Sequence, residues 1–92
     1  MRTIIKRKIY DTETADCVAD DRYWDVKNQG RNTYLYKTKK GNFFMLNTTR
    51  WQGENNTITP LSENEAVDRY DKLQEHHQEF EEVFPNIKVE EA

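Results

Sequence analysis

The chain has 92 residues, of which 35% are apolar and 34% charged, and its formal net charge is −3. A domain of this size buries only about two-thirds of its unfolded surface, so a small core that leans on its aromatic residues is expected. An aromatic content of 12% excludes a disordered chain, and no run of about 18 apolar residues is present to form a transmembrane helix.

Cys17 is the single cysteine, which rules out an intramolecular disulfide. The opening MRTIIKRKIY lacks the apolar segment of a signal peptide, and a reducing cytoplasm is the expected location. The sequons at Asn47 and Asn55 are accordingly expected to stay unmodified. Charge is unevenly placed: residues 1–62 carry +4 and residues 63–92 carry −7. Such asymmetry can steer a partner, although a solvated acidic helix accounts for it equally well.

Thr3 to Tyr10 mixes β-branched residues with charges and reads as a strand. Asp11 to Thr14 suits a turn, because Asp and Thr side chains bond the backbone two residues on. Ala15 to Ala19 returns as a weaker second strand. Pairing Ile9 with Cys17 would send Ile5, Ile9, Cys17 and Ala19 to the core, and a slip of one residue would reverse them all. Residues 20–32 read as an irregular connection in which Tyr23 and Trp24 cover one end of the sheet, with a turn at Lys27 to Gly30.

The strongest strand signal is Thr33 to Asn47. Two runs rich in Tyr, Phe and Leu flank Lys39-Lys40-Gly41, the order that a three-residue hairpin loop ending in a left-handed glycine requires. Pairing Thr38 with Asn42 sets Lys37 against Phe43, Tyr36 against Phe44, Leu35 against Met45 and Tyr34 against Leu46. Tyr34, Tyr36, Phe44 and Leu46 then share one face; Leu35, Lys37, Phe43 and Met45 share the other. Both faces are apolar enough to need cover. A polar loop carrying Trp51 follows, and Thr57 to Thr59 form a short edge strand ending at Pro60.

Ser62-Glu63-Asn64-Glu65 is a capping box, with Leu61 and Ala66 in staple positions. Ala66, Tyr70, Leu73, His77, Phe80 and Phe84 recur at spacings of four and three, which predicts one apolar stripe about six turns long. Pro85 ends it. The expected fold is one α+β domain over residues 1–92. Four or five antiparallel strands (two hairpins and an edge strand, residues 3–59) carry a long C-terminal helix, residues 62–84, packed on one face, with residues 85–92 as a tail. The other face is left to the first hairpin, to Trp24 and Trp51, or to a second molecule in a homodimer.

The segments KIYDTETAD, LYKTKKGNFF and ITPLSENEA resemble a family of small, mostly uncharacterised bacterial proteins that often sit on phages and other mobile elements. The resemblance covers most of residues 8–70 and rests on turns and a helix cap, which specify a fold rather than a reaction. Family members usually carry a longer, glycine-rich insert where this chain has NTTRWQGENN. What the resemblance implies is a small inhibitor of a host defence complex, in the manner of an anti-CRISPR protein.

Little in the sequence points to catalysis. His76 and His77 are adjacent, whereas ligand pairs on a helix stand three or four apart, so no metal or cofactor is expected and His77 is assigned to the edge of the core. Cys17 lies in a strand with no nearby histidine, and free cysteines are commonly core residues. A non-enzymatic protein-binding module is therefore expected, with Trp24, Trp51, Tyr34 and Tyr36 as candidate contacts. A second reading is nucleic-acid mimicry: Asp68, Asp71, Glu75, Glu79 and Glu82 would form an acidic ridge with charges roughly 5–6 Å apart along the helix. The third is direct nucleic-acid binding through Arg2, Lys6, Arg7, Lys8, Lys37, Lys39 and Lys40. An acidic domain weighs against it, and cations on strands also serve to blunt edge-to-edge pairing.

Overall fold

The computed structural model describes residues 1–22 and 29–90. The central hairpin forms as its sequence requires. β4 (Arg31–Lys37) and β5 (Phe43–Thr49) pair antiparallel with Lys37 opposite Phe43 and Tyr34 opposite Leu46. Gly41 takes φ +88°, the conformation that places glycine at the end of this loop. β6 (Thr57–Leu61) adds to the outside of β5 and brings Pro60 opposite Phe44. As an edge position, this tolerates a residue with no N–H to donate.

The remaining strands depart from expectation. Residues 3–10 are not one strand. β1 (Arg2–Ile5) and β2 (Lys8–Asp11) form their own two-stranded ribbon, closed by Lys6 and Arg7 at φ 50° and 65°. Two successive positive φ values define the hairpin turn whose twist matches its strands. It is usually signalled by Asn-Gly, and two cationic residues gave no such signal. Asp11 still makes a turn, its Oδ1 accepting from the Glu13 N–H at 3.0 Å. That turn leads into β3 (Asp16–Asp20), which pairs with β4 rather than with the first strand. Ile9 therefore never meets Cys17, and it points outward.

The long C-terminal helix does not exist. α1 (Glu63–Lys72) starts on the expected capping box but stops at Leu73, whose backbone is extended. β7 (Glu75–His76) then pairs with Ala19 and Asp20, and a short α2 (Phe80–Val83) follows. The edge of β3 supplies the reason. A helix running to residue 84 would leave that edge unpaired, whereas the broken path satisfies it with β7 and with the His77 N–H donated to the Val18 carbonyl at 2.9 Å. Breaking also folds Phe80 and Phe84 back onto Tyr70, with ring centroids 5.8 Å apart in each case. Among the described residues the fold is a five-stranded antiparallel sheet in the order β6-β5-β4-β3-β7, plus the ribbon and two short helices.

These elements stack in layers. On one side of the sheet, α1 and α2 bury Ala66, Tyr70, Leu73, Val83 and Phe84 against Val18, Ala19, Leu35 and Phe43. On the other side the ribbon sets Tyr10 edge-on against Phe44, centroids 5.5 Å apart, while Tyr36 stacks on Phe44 at 5.0 Å. The ribbon covers that part of the second face.

Candidate functional site

Two polar constellations emerge. The first is the outward face of the ribbon. Its inner side chains, Thr3, Ile5, Lys8 and Tyr10, alternate with Arg2, Ile4, Ile9 and Asp11 on the outside. Ile4 and Ile9 lie directly opposite each other across the two strands, and they remain 59% and 55% exposed. The tip residues Lys6 and Arg7 are exposed beside them. Between β2 and the β4–β5 loop runs an open cleft of about 590 Å³ whose charged walls are Arg2, Arg7, Lys8, Asp11, Lys39 and Lys40. The fold thus gathers most of the cations of the basic segments at one end. Lys37 is the exception. It lies on the helical side, where its Nζ donates to the Val83 carbonyl at 2.7 Å.

The second constellation lies farther along the sheet's second face. A bulge falls between Cys17 and Ala19, so Cys17 faces Tyr36 while Asp20 faces Tyr34. Residues three apart in a regular strand point to opposite faces; the extra residue puts Cys17 and Asp20 on the same one. His77, carried to the sheet edge by β7, brings its Nε2 to 2.7 Å from Asp20 Oδ2. Cys17 Sγ stands 3.8 Å from that same oxygen. Together with Arg22, Tyr34 and Tyr36, these residues line a shallow pocket of about 270 Å³. Asp20 is the one buried charged residue among those described, 1% exposed.

Burial, reinforced by the Asp20 carboxylate, pushes the Cys17 thiol up to about 11. The group is therefore a neutral thiol at neutral pH, the opposite of an activated nucleophile. Burial likewise raises the Tyr36 hydroxyl. The carboxylate also sits between thiol and imidazole, so the order of groups is not that of a nucleophile backed by its base.

The sequence-level candidates scatter. Tyr34 and Tyr36 line the Cys17–Asp20–His77 pocket, half-buried. Trp51 is 49% exposed at the far end of the central hairpin from the ribbon. There the Arg31 guanidinium lies 4.8 Å over its ring and its indole N–H donates to the Gln29 carbonyl. Trp24 lies outside the described residues. The acidic ridge is lost: Asp68 and Asp71 stand on α1, Glu75 in β7, Glu79 at the start of α2 and Glu82 within it. Asp68 is moreover paired with Lys72 Nζ at 3.0 Å. With the helix broken, the five carboxylates no longer lie on one helical face. His77, expected at the edge of a helical core, instead binds Asp20, a residue the sequence did not single out. Only the bulge makes Asp20 a neighbour of Cys17, and nothing in ADCVADD announces one.

No family model matches the chain, and neither the curated proteins nor the solved structures include a similar one.

Proposed function

We propose that this chain is a protein-binding module that docks an acidic partner surface on the outer face of the β1–β2 ribbon. The observation that carries this reading is the Ile4–Ile9 pair. Two large apolar side chains face solvent side by side, with Arg2 and Asp11 on the same face and the cationic tip, Lys6 and Arg7, beside them. An apolar centre inside a charged rim is the general anatomy of a protein interface. The rim gives the partner its sign: electrostatic complementarity calls for carboxylates around an apolar spot. The turn and cap motifs resembling those of small mobile-element proteins put a host defence complex first among partners to try.

Nucleic acid is the competing reading, favoured by the convergence of Lys39 and Lys40 on the ribbon cations. Single-strand binders add exposed aromatic platforms to such charge. The aromatic residue in this cleft, Tyr10, is buried against Phe44. The apolar residue left exposed is isoleucine, which suits protein contact better.

The test is capture of partners by the wild type and by an Ile4→Ser/Ile9→Ser pair from nuclease-treated cell extract, with circular dichroism and melting curves to show that both fold. A defined protein retained by the wild type, lost from the variant and released by salt supports the reading. Equal retention by both chains overturns it. So does a shift of labelled DNA or RNA at low salt by the wild type, together with capture that occurs only when nuclease is left out of the extract.

A further inference from the structure

We propose that Cys17, Asp20 and His77 are three ligands of a transition-metal site, best suited to zinc(II), on the sheet face away from the helices. This is independent of the ribbon and its partner. One ligand atom from each residue (Sγ, a carboxylate oxygen and a ring nitrogen) lies within 4.8 Å of the other two. A tetrahedral zinc centre with bonds of 2.0–2.3 Å holds its ligand atoms roughly 3.3–3.6 Å apart. Oδ2 and Nε2 at 2.7 Å are a little closer than that and Oδ2 and Sγ at 3.8 Å a little wider. An ion inserted among them would replace the hydrogen bond and the loose thiol contact, drawing together Sγ and Nε2, which lie within 4.8 Å of each other.

The backbone holds each ligand in place. The bulge in β3 turns Cys17 and Asp20 to one face. The Arg22 N–H fixes the other carboxylate oxygen, Oδ1, at 3.2 Å and leaves Oδ2 to the site. The His77 N–H bonded to the Val18 carbonyl anchors the imidazole against the same strand. Fixed outer contacts of this kind orient metal ligands. Asp20 is almost wholly buried, a costly place for a carboxylate unless cationic or hydrogen-bonding partners answer it. The side facing Tyr34 and Tyr36 stays open within the 270 Å³ pocket, enough for a fourth ligand such as water.

The donor set selects the ion. A sulfur and an imidazole exclude calcium and magnesium, which take oxygen shells, and favour zinc and its first-row neighbours. One feature opposes any cation: Arg22 Nε lies 3.8 Å from Oδ2. Its side chain is about half exposed, so water screens part of that charge.

The experiment is titration of the metal-free chain with cobalt(II), followed by displacement with zinc. Expected are one equivalent of bound cobalt with tetrahedral visible bands and a thiolate-to-cobalt band in the near ultraviolet, a melting temperature raised by zinc, and loss of both effects in Cys17→Ser and His77→Gln. Arg22→Gln should bind several-fold more tightly. Should the ligand variants not fold, the wild type still decides, because one equivalent of zinc must slow alkylation of Cys17 at least tenfold. An octahedral spectrum without the sulfur band, binding unchanged in Cys17→Ser, or alkylation indifferent to zinc would overturn the assignment.

Discussion

The imidazole of His76 lies flat on the ring of Tyr70, centroids 3.9 Å apart, and its Nε2 sits 2.7 Å from the Tyr70 carbonyl oxygen. From the other end of the same side chain, the Tyr70 hydroxyl donates to the Gln78 carbonyl at 2.7 Å. One residue of α1 therefore fixes the segment that leaves the helix, and the helix cannot continue through it. Tyr70→Phe should cost about 1 kcal/mol by removing that donor. Tyr70→Ala should cost about 3–5 kcal/mol through lost aromatic packing. Urea midpoints measure both, and amide exchange at His77 should speed up in the phenylalanine variant if β7 depends on this anchor. Unchanged exchange would show that β7 holds without it.

The same residue explains how far the sequence could be read. Of the six residues of the expected stripe, Ala66, Tyr70, Leu73 and Phe84 are buried, Phe80 is half-buried and His77 is exposed, because the single helix that would have aligned them does not form. Burial pattern constrains which residues face inward; it does not see an unpaired strand edge at residues 18–20, which is a tertiary demand. The central hairpin was legible to the residue because its glycine and its alternation agree. The ribbon was not, because its turn lacks Asn and Gly. The pocket was hidden for a related reason: Cys17, Asp20 and His77 come together only through a bulge and a strand of two residues, and neither leaves a mark in composition.

The ribbon turn can be relieved. Lys6 and Arg7 both occupy left-handed backbone, where side chains are strained and Asn-Gly is preferred. Lys6→Asn with Arg7→Gly should stabilise the chain by about 1 kcal/mol through relief of that backbone strain, read as a higher melting temperature. The variant also removes two cations from the rim around Ile4 and Ile9, so partner affinity should fall while stability rises. A fall in both would mean that the turn chemistry has been misassigned.

The cap on α1 offers a local measure. Ser62 Oγ accepts from the Glu65 N–H at 3.2 Å, and Glu65 Oε1 accepts from the Ser62 N–H at 2.9 Å. That second bond holds the Glu65 carboxyl below the usual carboxylate range. Ser62→Ala should cost about 1 kcal/mol, measurable by denaturant titration, and Ser62→Asp should recover most of it by restoring an acceptor at the helix start.

At the other end of the sheet, hydrogen bonding from Arg31, then from the Thr49 hydroxyl, holds the Glu54 carboxyl near 2, well under its ordinary 4.5. The Arg31 Nη2 to Glu54 Oε2 distance is 2.6 Å. A carboxyl depressed by folding contributes stability that is complete above its ordinary value, fades as pH falls from about 4.5 towards 2, and is absent below. Both side chains are solvent-exposed, so the effect on stability should be small and should shrink further with salt. Carbon-detected NMR of the Glu54 carboxyl is the direct measurement: it should titrate near 2 in the wild type and return towards the ordinary range in Arg31→Gln. A midpoint unmoved by that substitution would place the cause elsewhere, with Thr49→Val as the next variant to examine.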